Sequence, residues 1–127
     1  MSSKELIYGQ VGEYEKTIYD EPVFAAIERM CEKYSDRPAI FYLGKTWTYA
    51  EVKELIDRFA RALYTLGVTQ GDRVMLYLPN CPQFIAGFFG SMKIGATPVP
   101  VSPIYTPYEM EYLINDAEAV YILCQDT

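Results

Sequence analysis

Histidine is absent from this 127-residue chain. Its absence excludes imidazole acid–base catalysis, a Ser-His-Asp triad and every His-ligated metal centre. Basic clusters are missing as well. Eleven Lys and Arg stand against seventeen Asp and Glu, the net charge is −6, and the basic residues are scattered. Nucleic acid is therefore not an expected partner, because binding it needs clustered cations that displace counterions from phosphates. Cysteine is scarce: Cys31, Cys81 and Cys124 are odd in number and widely spaced. They match neither a disulfide framework nor a zinc pattern and read as buried or half-buried thiols in a reducing compartment. No apolar run approaches the roughly 20 residues that span a bilayer. The longest, Phe84 to Met92, is interrupted by Gly87, Gly90 and Ser91. The first 20 residues alternate in charge without an apolar stretch, so no signal peptide is read there and the expected location is cytoplasmic.

What the chain does have is apolar substance, since 50% of its residues are hydrophobic, enough for a folded core. Residues 1–19 lack periodicity and read as an extended arm in which Tyr8, Tyr14 and Tyr19 anchor a docking surface. A first helix is predicted from Asp20 or Glu21 to about Tyr34, with Asp20 as N-cap, Pro22 in the first turn, and Val23, Phe24, Ile27, Met30, Cys31 and Tyr34 on one face. Ala39 to Tyr42 and Thr46 to Thr48 read as a hairpin turning through Leu43-Gly44-Lys45. Thr48 and Glu51 form a capping box for a helix to about residue 66. Val52, Leu55, Ile56, Phe59, Ala60 and Leu63 form its buried stripe. Glu51, Lys53, Glu54, Asp57, Arg58 and Arg61 form its wet face. Gly67 takes the left-handed position beyond its end.

Strands follow at Arg73 to Leu78, Thr97 to Val101 and Ala119 to Cys124. Between them lie a helix from Asn80 to about Lys93, with Gln83 at a capping-box position, and another opened by the Thr106-Pro107-Tyr108-Glu109 box. Met110, Leu113, Ile114 and Ala117 form the buried stripe of the latter. Tyr77, Tyr112 and Tyr121 are expected in core or half-buried positions. The order reads as a βαβαβ parallel sheet with right-handed crossovers. A strand order running in one direction puts helices 80–93 and 107–115 on one face and leaves helices 20–34 and 49–66 for the other. Pro98 and Pro100 withhold two N–H groups from the same side, so their strand belongs at an edge. The last strand is followed by no covering element, which predicts a truncated piece or an edge met by another surface.

Two glycine patterns are set aside. Gly44-Lys45-Thr46 is no phosphate loop, because Ala39 stands where that motif needs glycine and the context is strand–strand. Gly87 and Gly90 read as close packing of a helix on the sheet. Ligands of open α/β sheets bind beyond the carboxyl ends of strands. Here those ends are Pro79-Asn80, Ser102 to Thr106, and Gln125-Asp126, without Lys or Arg to balance a triphosphate. Ser102, Tyr105 and Thr106 either line a pocket there or cap and pack.

Asp36-Arg37-Pro38-Ala39-Ile40, Gly44 and Trp47-Thr48-Tyr49-Ala50-Glu51-Val52 resemble the first signature of adenylate-forming enzymes. Gly67-Val68, Gly71-Asp72-Arg73-Val74 and Leu78-Pro79-Asn80-Cys81-Pro82 continue it in order. Lys93-Ile94-Gly95-Ala96 and Pro100-Val101-Ser102-Pro103 resemble the second. Tyr105-Thr106-Pro107-Tyr108-Glu109, Leu113 and Asn115-Asp116-Ala117 are similar to the acyl-CoA synthetase branch, above all fatty-acid CoA ligases, although Ser102 stands where asparagine is common.

The resemblance implies an α/β fold: the N-terminal part of an adenylate-forming domain, with a short antiparallel hairpin and a βαβαβ sheet flanked by helices. It implies an arm at 1–19 and a partial domain at 20–127 that stops before the phosphate-binding loop. The family activates a carboxylic acid with ATP and Mg²⁺ to an acyl-adenylate and transfers the acyl group to CoA. It uses a Ser/Thr/Gly-rich loop ending in Pro-Lys-Gly, a metal-binding acid and a lysine of a C-terminal domain. None has a counterpart here, so no catalytic, cofactor-binding or metal-binding residue is assigned. ATP, Mg²⁺ and CoA are implied only for the full-length parent, whose remainder is the expected partner. The alternatives are a stand-alone interaction module, homo-oligomeric through its open sheet edge and arm, and a small Rossmann-like nucleotide binder.

Overall fold

The computed structural model describes residues 21–126. The arm, its tyrosines and the Asp20 cap lie outside them. In chain order the elements are α1 (Val23–Lys33), β1 (Pro38–Tyr42), β2 (Lys45–Thr48), α2 (Tyr49–Thr65), β3 (Arg73–Tyr77), α3 (Pro82–Lys93), β4 (Thr97–Val101), α4 (Pro107–Ala117) and β5 (Ala119–Cys124). The mixed α/β class, the antiparallel hairpin and the three-stranded parallel sheet are those expected.

The element boundaries follow local chemistry. Thr48 and Thr106 each accept from the backbone N–H three residues on, while Glu51 and Glu109 accept from the cap N–H in return. Gly67 takes φ +95°, which lets α2 end without Cβ strain. Two expected caps are absent. Pro22 is itself the N-cap of α1 and offers no side-chain acceptor. Cys81, rather than Asn80, is the N-cap of α3, again without a side-chain bond. Proline at the first helical position of α3 removes one orphan N–H, which lowers the need for a cap. The hairpin turn is the two-residue Leu43-Gly44, both at positive φ, and Lys45 already belongs to β2.

The sheet order is β4-β3-β5. The chain moves from β3 to β4, then returns past β3 to lay down β5. With right-handed crossovers, this reversal sends α3 and α4 to opposite faces rather than to one. Burial agrees: Val74 and Leu76 join Leu63, Val68 and Ala96 in the core under α2 and α3, while Met75, pointing the other way, is equally buried. β4 is an edge, as its two prolines require.

Helix α3 meets both the sheet and α2. A Cβ on Gly87 would lie 3.0 Å from Leu123 and 3.2 Å from Leu76, whereas one on Gly90 would lie 3.1 Å from the Ala60 amide nitrogen and 3.2 Å from the Ile56 carbonyl oxygen. Only Gly87 therefore serves contact with the sheet; Gly90 serves a helix–helix contact. The α1 stripe is shallower than its periodicity predicts, with Cys31 buried but Val23 and Met30 exposed.

Candidate functional site at the carboxyl edge of the sheet

Open α/β sheets bind ligands beyond the carboxyl ends of their strands, and here the ends of β3 and β5 border a crevice. A cavity of about 410 Å³ occupies it. Leu78, Phe59 and Leu123 give it apolar walls, and Cys81, Cys124 and Asp126 are among its polar lining. A second cavity, of about 430 Å³, lies between the ends of β3 and β4, lined by Leu78, Pro79, Asn80, Phe84 and the Pro100–Pro103 stretch. Leu78 borders both.

The sequence-predicted positions separate here. Asn80 and Ser102 meet in the second cavity, and Gln125 and Asp126 in the first. Thr106 is taken up by its cap, where its Oγ1 accepts from the Glu109 N–H at 3.3 Å. Tyr105 lines neither cavity; its carbonyl oxygen accepts from the Tyr77 hydroxyl at 2.9 Å, tying the loop after β4 to the end of β3. Cys81, Cys124, Gln83 and Phe59 were not foreseen as neighbours. They come from three separate segments, α2, the start of α3 and the end of β5, and the only available signal was the general rule about strand ends.

The donor set does not suit a nucleoside triphosphate or its magnesium ion. Neither cavity is lined by Lys or Arg among the described residues, and Asp126 is the single carboxylate. No group of three His, Cys, Asp or Glu there is placed to hold a metal. Thiols, amides and apolar walls can pack against a covering surface or an apolar ligand; they cannot neutralise phosphate charge.

Charge is instead concentrated between helices. The Lys93 ammonium lies 2.6 Å from Asp57 Oδ1 and also bonds Glu28, while Lys53 donates to Asp57 Oδ2 at 3.0 Å. Asp57 and Lys53, expected on the wet face of α2, are thus half-buried between α1, α2 and α3. Burial pushes the Asp57 pKa up, but hydrogen bonds from Lys93 and Lys53 outweigh it and hold it below the ordinary value. The bonds to Asp57 and Glu28 raise Lys93 above its own, against the opposing effect of burial. Burial also raises the Cys31 thiol, which stays protonated and inert. This network spans three elements and joins them; no cavity of the carboxyl edge opens onto it.

Comparison with known proteins decides the family. The family model described as "AMP-binding enzyme" matches residues 27–127. The chain belongs to the AMP-binding enzyme family. A long-chain-fatty-acid–CoA ligase of Salmonella typhimurium is 37% identical over 97 residues, 76% of this chain and 17% of that protein. Surfactin synthase subunit 1 of Bacillus subtilis is 34% identical over 107 residues, 84% of this chain and 3% of that protein. A benzoate CoA ligase from Burkholderia xenovorans superposes with a TM-score of 0.77 at 27% identity, covering 80% of this chain and 21% of that one. The N-terminal subdomain of Klebsiella oxytoca NpsA shares the fold, with a TM-score of 0.79 over 84% of this chain and 28% of that one. This AMP-binding family member therefore spans a small part of the relatives it matches, and it is an N-terminal region of the adenylate-forming type. No helix among its described residues is long and apolar enough to cross a membrane.

Proposed function

We infer that this chain is the N-terminal region of an acid–CoA ligase that activates a carboxylic acid, of the fatty-acid class, with ATP. The acyl-adenylate so formed passes its acyl group to CoA. In this reading ATP, Mg²⁺ and CoA are held by the remainder of the parent enzyme, residues 20–127 contribute a partial domain, and the chain alone is inactive. The observation that carries it is the family match over residues 27–127, set against a carboxyl edge without a cation. The 37% identity with fatty-acid ligases supports the substrate class; the surfactin synthase and benzoate ligase likenesses make amino acids and benzoate the competitors to test. Three free thiols suit the reducing cytoplasm.

The test is ATP–pyrophosphate exchange with a long-chain fatty acid, benzoate or an amino acid, using this chain and a longer product of the same gene. Exchange is expected only with the longer product and fastest with the fatty acid. Substantial exchange by the short chain overturns the reading, and a preference for another acid overturns the substrate class. A second reading, an interaction module, is favoured by one feature: β5 is a sheet edge among the described residues, with Val120 53% and Ile122 42% exposed. Self-association of this chain, with no exchange by any longer product, selects it.

A further inference from the structure

The chain is electrically lopsided. Every Lys and Arg precedes residue 94, whereas residues 94–127 hold five carboxylates, Glu109, Glu111, Asp116, Glu118 and Asp126. Within this acidic stretch, Tyr105, Tyr108 and Tyr112 are 38%, 84% and 67% exposed. Tyr112 was expected in a core or half-buried position; it stands instead, exposed, one turn beyond Tyr108 on the outer side of α4. The three rings, with Glu109 and Leu113, line a groove of about 290 Å³. Glu109 accepts through Oε2 from the Thr106 N–H at 2.8 Å and the Thr106 hydroxyl at 2.9 Å. Its Oε1 has no partner among the described residues. The bonds from the Thr106 backbone and hydroxyl lower its pKa, so it is anionic at neutral pH, and its charge offsets the positive end of the helix dipole.

Elsewhere the chain fills its aromatic faces with its own cations. Lys33 and Arg37 lie 5.1 and 5.0 Å from the Tyr34 ring, and Lys45 lies 3.8 Å from the Trp47 ring. No described cation lies over Tyr105, Tyr108 or Tyr112, and residues 94–127 supply none. Charge selects the complement. A second copy would set Glu109 and Glu111 against their equivalents, and nucleic acid or anionic lipid would meet like charge. Arginine combines stacking on aromatic faces with a donor fork for carboxylates.

We propose that the groove formed by Tyr105, Tyr108, Tyr112 and Glu109 on α4 docks an arginine-bearing segment of a partner protein. The probe is a short glycine peptide carrying two arginines, titrated into the isotope-labelled chain at about 0.15 M salt, where long-range attraction is screened. Its control carries citrulline, the uncharged isostere, in place of arginine. Saturable amide shifts confined to residues 104–113 are expected, with the citrulline peptide about tenfold weaker, as loss of cation–π and ionic contacts implies. The pair Tyr108→Ala and Tyr112→Ala, which leaves all charges in place, should weaken arginine-peptide binding about tenfold. Equal binding of the two peptides overturns the proposal, and so do shifts spread over the acidic surface at large. Concentration-dependent shifts of the same amides without peptide also overturn it, by identifying a second copy as the occupant. Should the double variant fail to fold, the two peptides on the unaltered chain still decide.

Discussion

Gly90 and Gly87 lie one turn apart on α3, yet their neighbours differ in kind. A methyl group at position 90 meets backbone atoms of α2, which can yield only by separating the helices; at 87 it meets the ends of two leucine side chains, which can rotate. Gly90→Ala is therefore expected to destabilise by about 1–3 kcal/mol, the range of overpacked cores. Gly87→Ala should stay within about 1 kcal/mol of the parent, because alanine's helix propensity offsets part of the crowding. Urea-unfolding midpoints measure both. Asp57 gives a second residue-scale expectation. Its pKa is lower folded than unfolded, so its stabilisation is fully present above the ordinary value of 3.8 and fades as pH falls through the folded value. The stability difference between the parent and Asp57→Asn should be constant above about pH 5 and shrink below it. A difference independent of pH would show that the carboxylate charge contributes nothing there.

Among the helices, α2 and α4 share the same capping box but not the same anchorage. α2 buries Val52, Ile56, Ala60 and Leu63, whereas α4 buries only Met110. An element with little buried stripe depends more on its ends. Thr106→Ala is expected to cost about 1 kcal/mol and to speed hydrogen exchange across α4, leaving α2 amides unchanged; equal protection loss in both helices would contradict this. The two sheet edges contrast similarly. β4 carries Pro98 and Pro100 and offers few donors, while β5 has no proline and presents Val120 and Ile122 to solvent. Both capping boxes and the proline edge were legible in the sequence, because each is written within a few consecutive residues. The caps of α1 and α3 were misplaced by one or two residues, because a proline-led helix start needs no side-chain acceptor.

At the scale of the whole molecule, what composition and spacing determined was the element list: the hairpin, two capped helices, three strands and the edge position of β4. Only the tertiary structure decided the strand order, and with it the opposite placement of α3 and α4 and the crevice where Cys81 and Cys124 share one cavity. It also turned Asp57 from a solvent-facing residue into the centre of a network with Lys93 and Glu28, and Tyr112 from a core or half-buried residue into a surface one. The reason is range. Capping, periodicity and proline chemistry act over three or four residues, whereas strand order and convergent side chains depend on contacts between segments tens of residues apart, which no local pattern records.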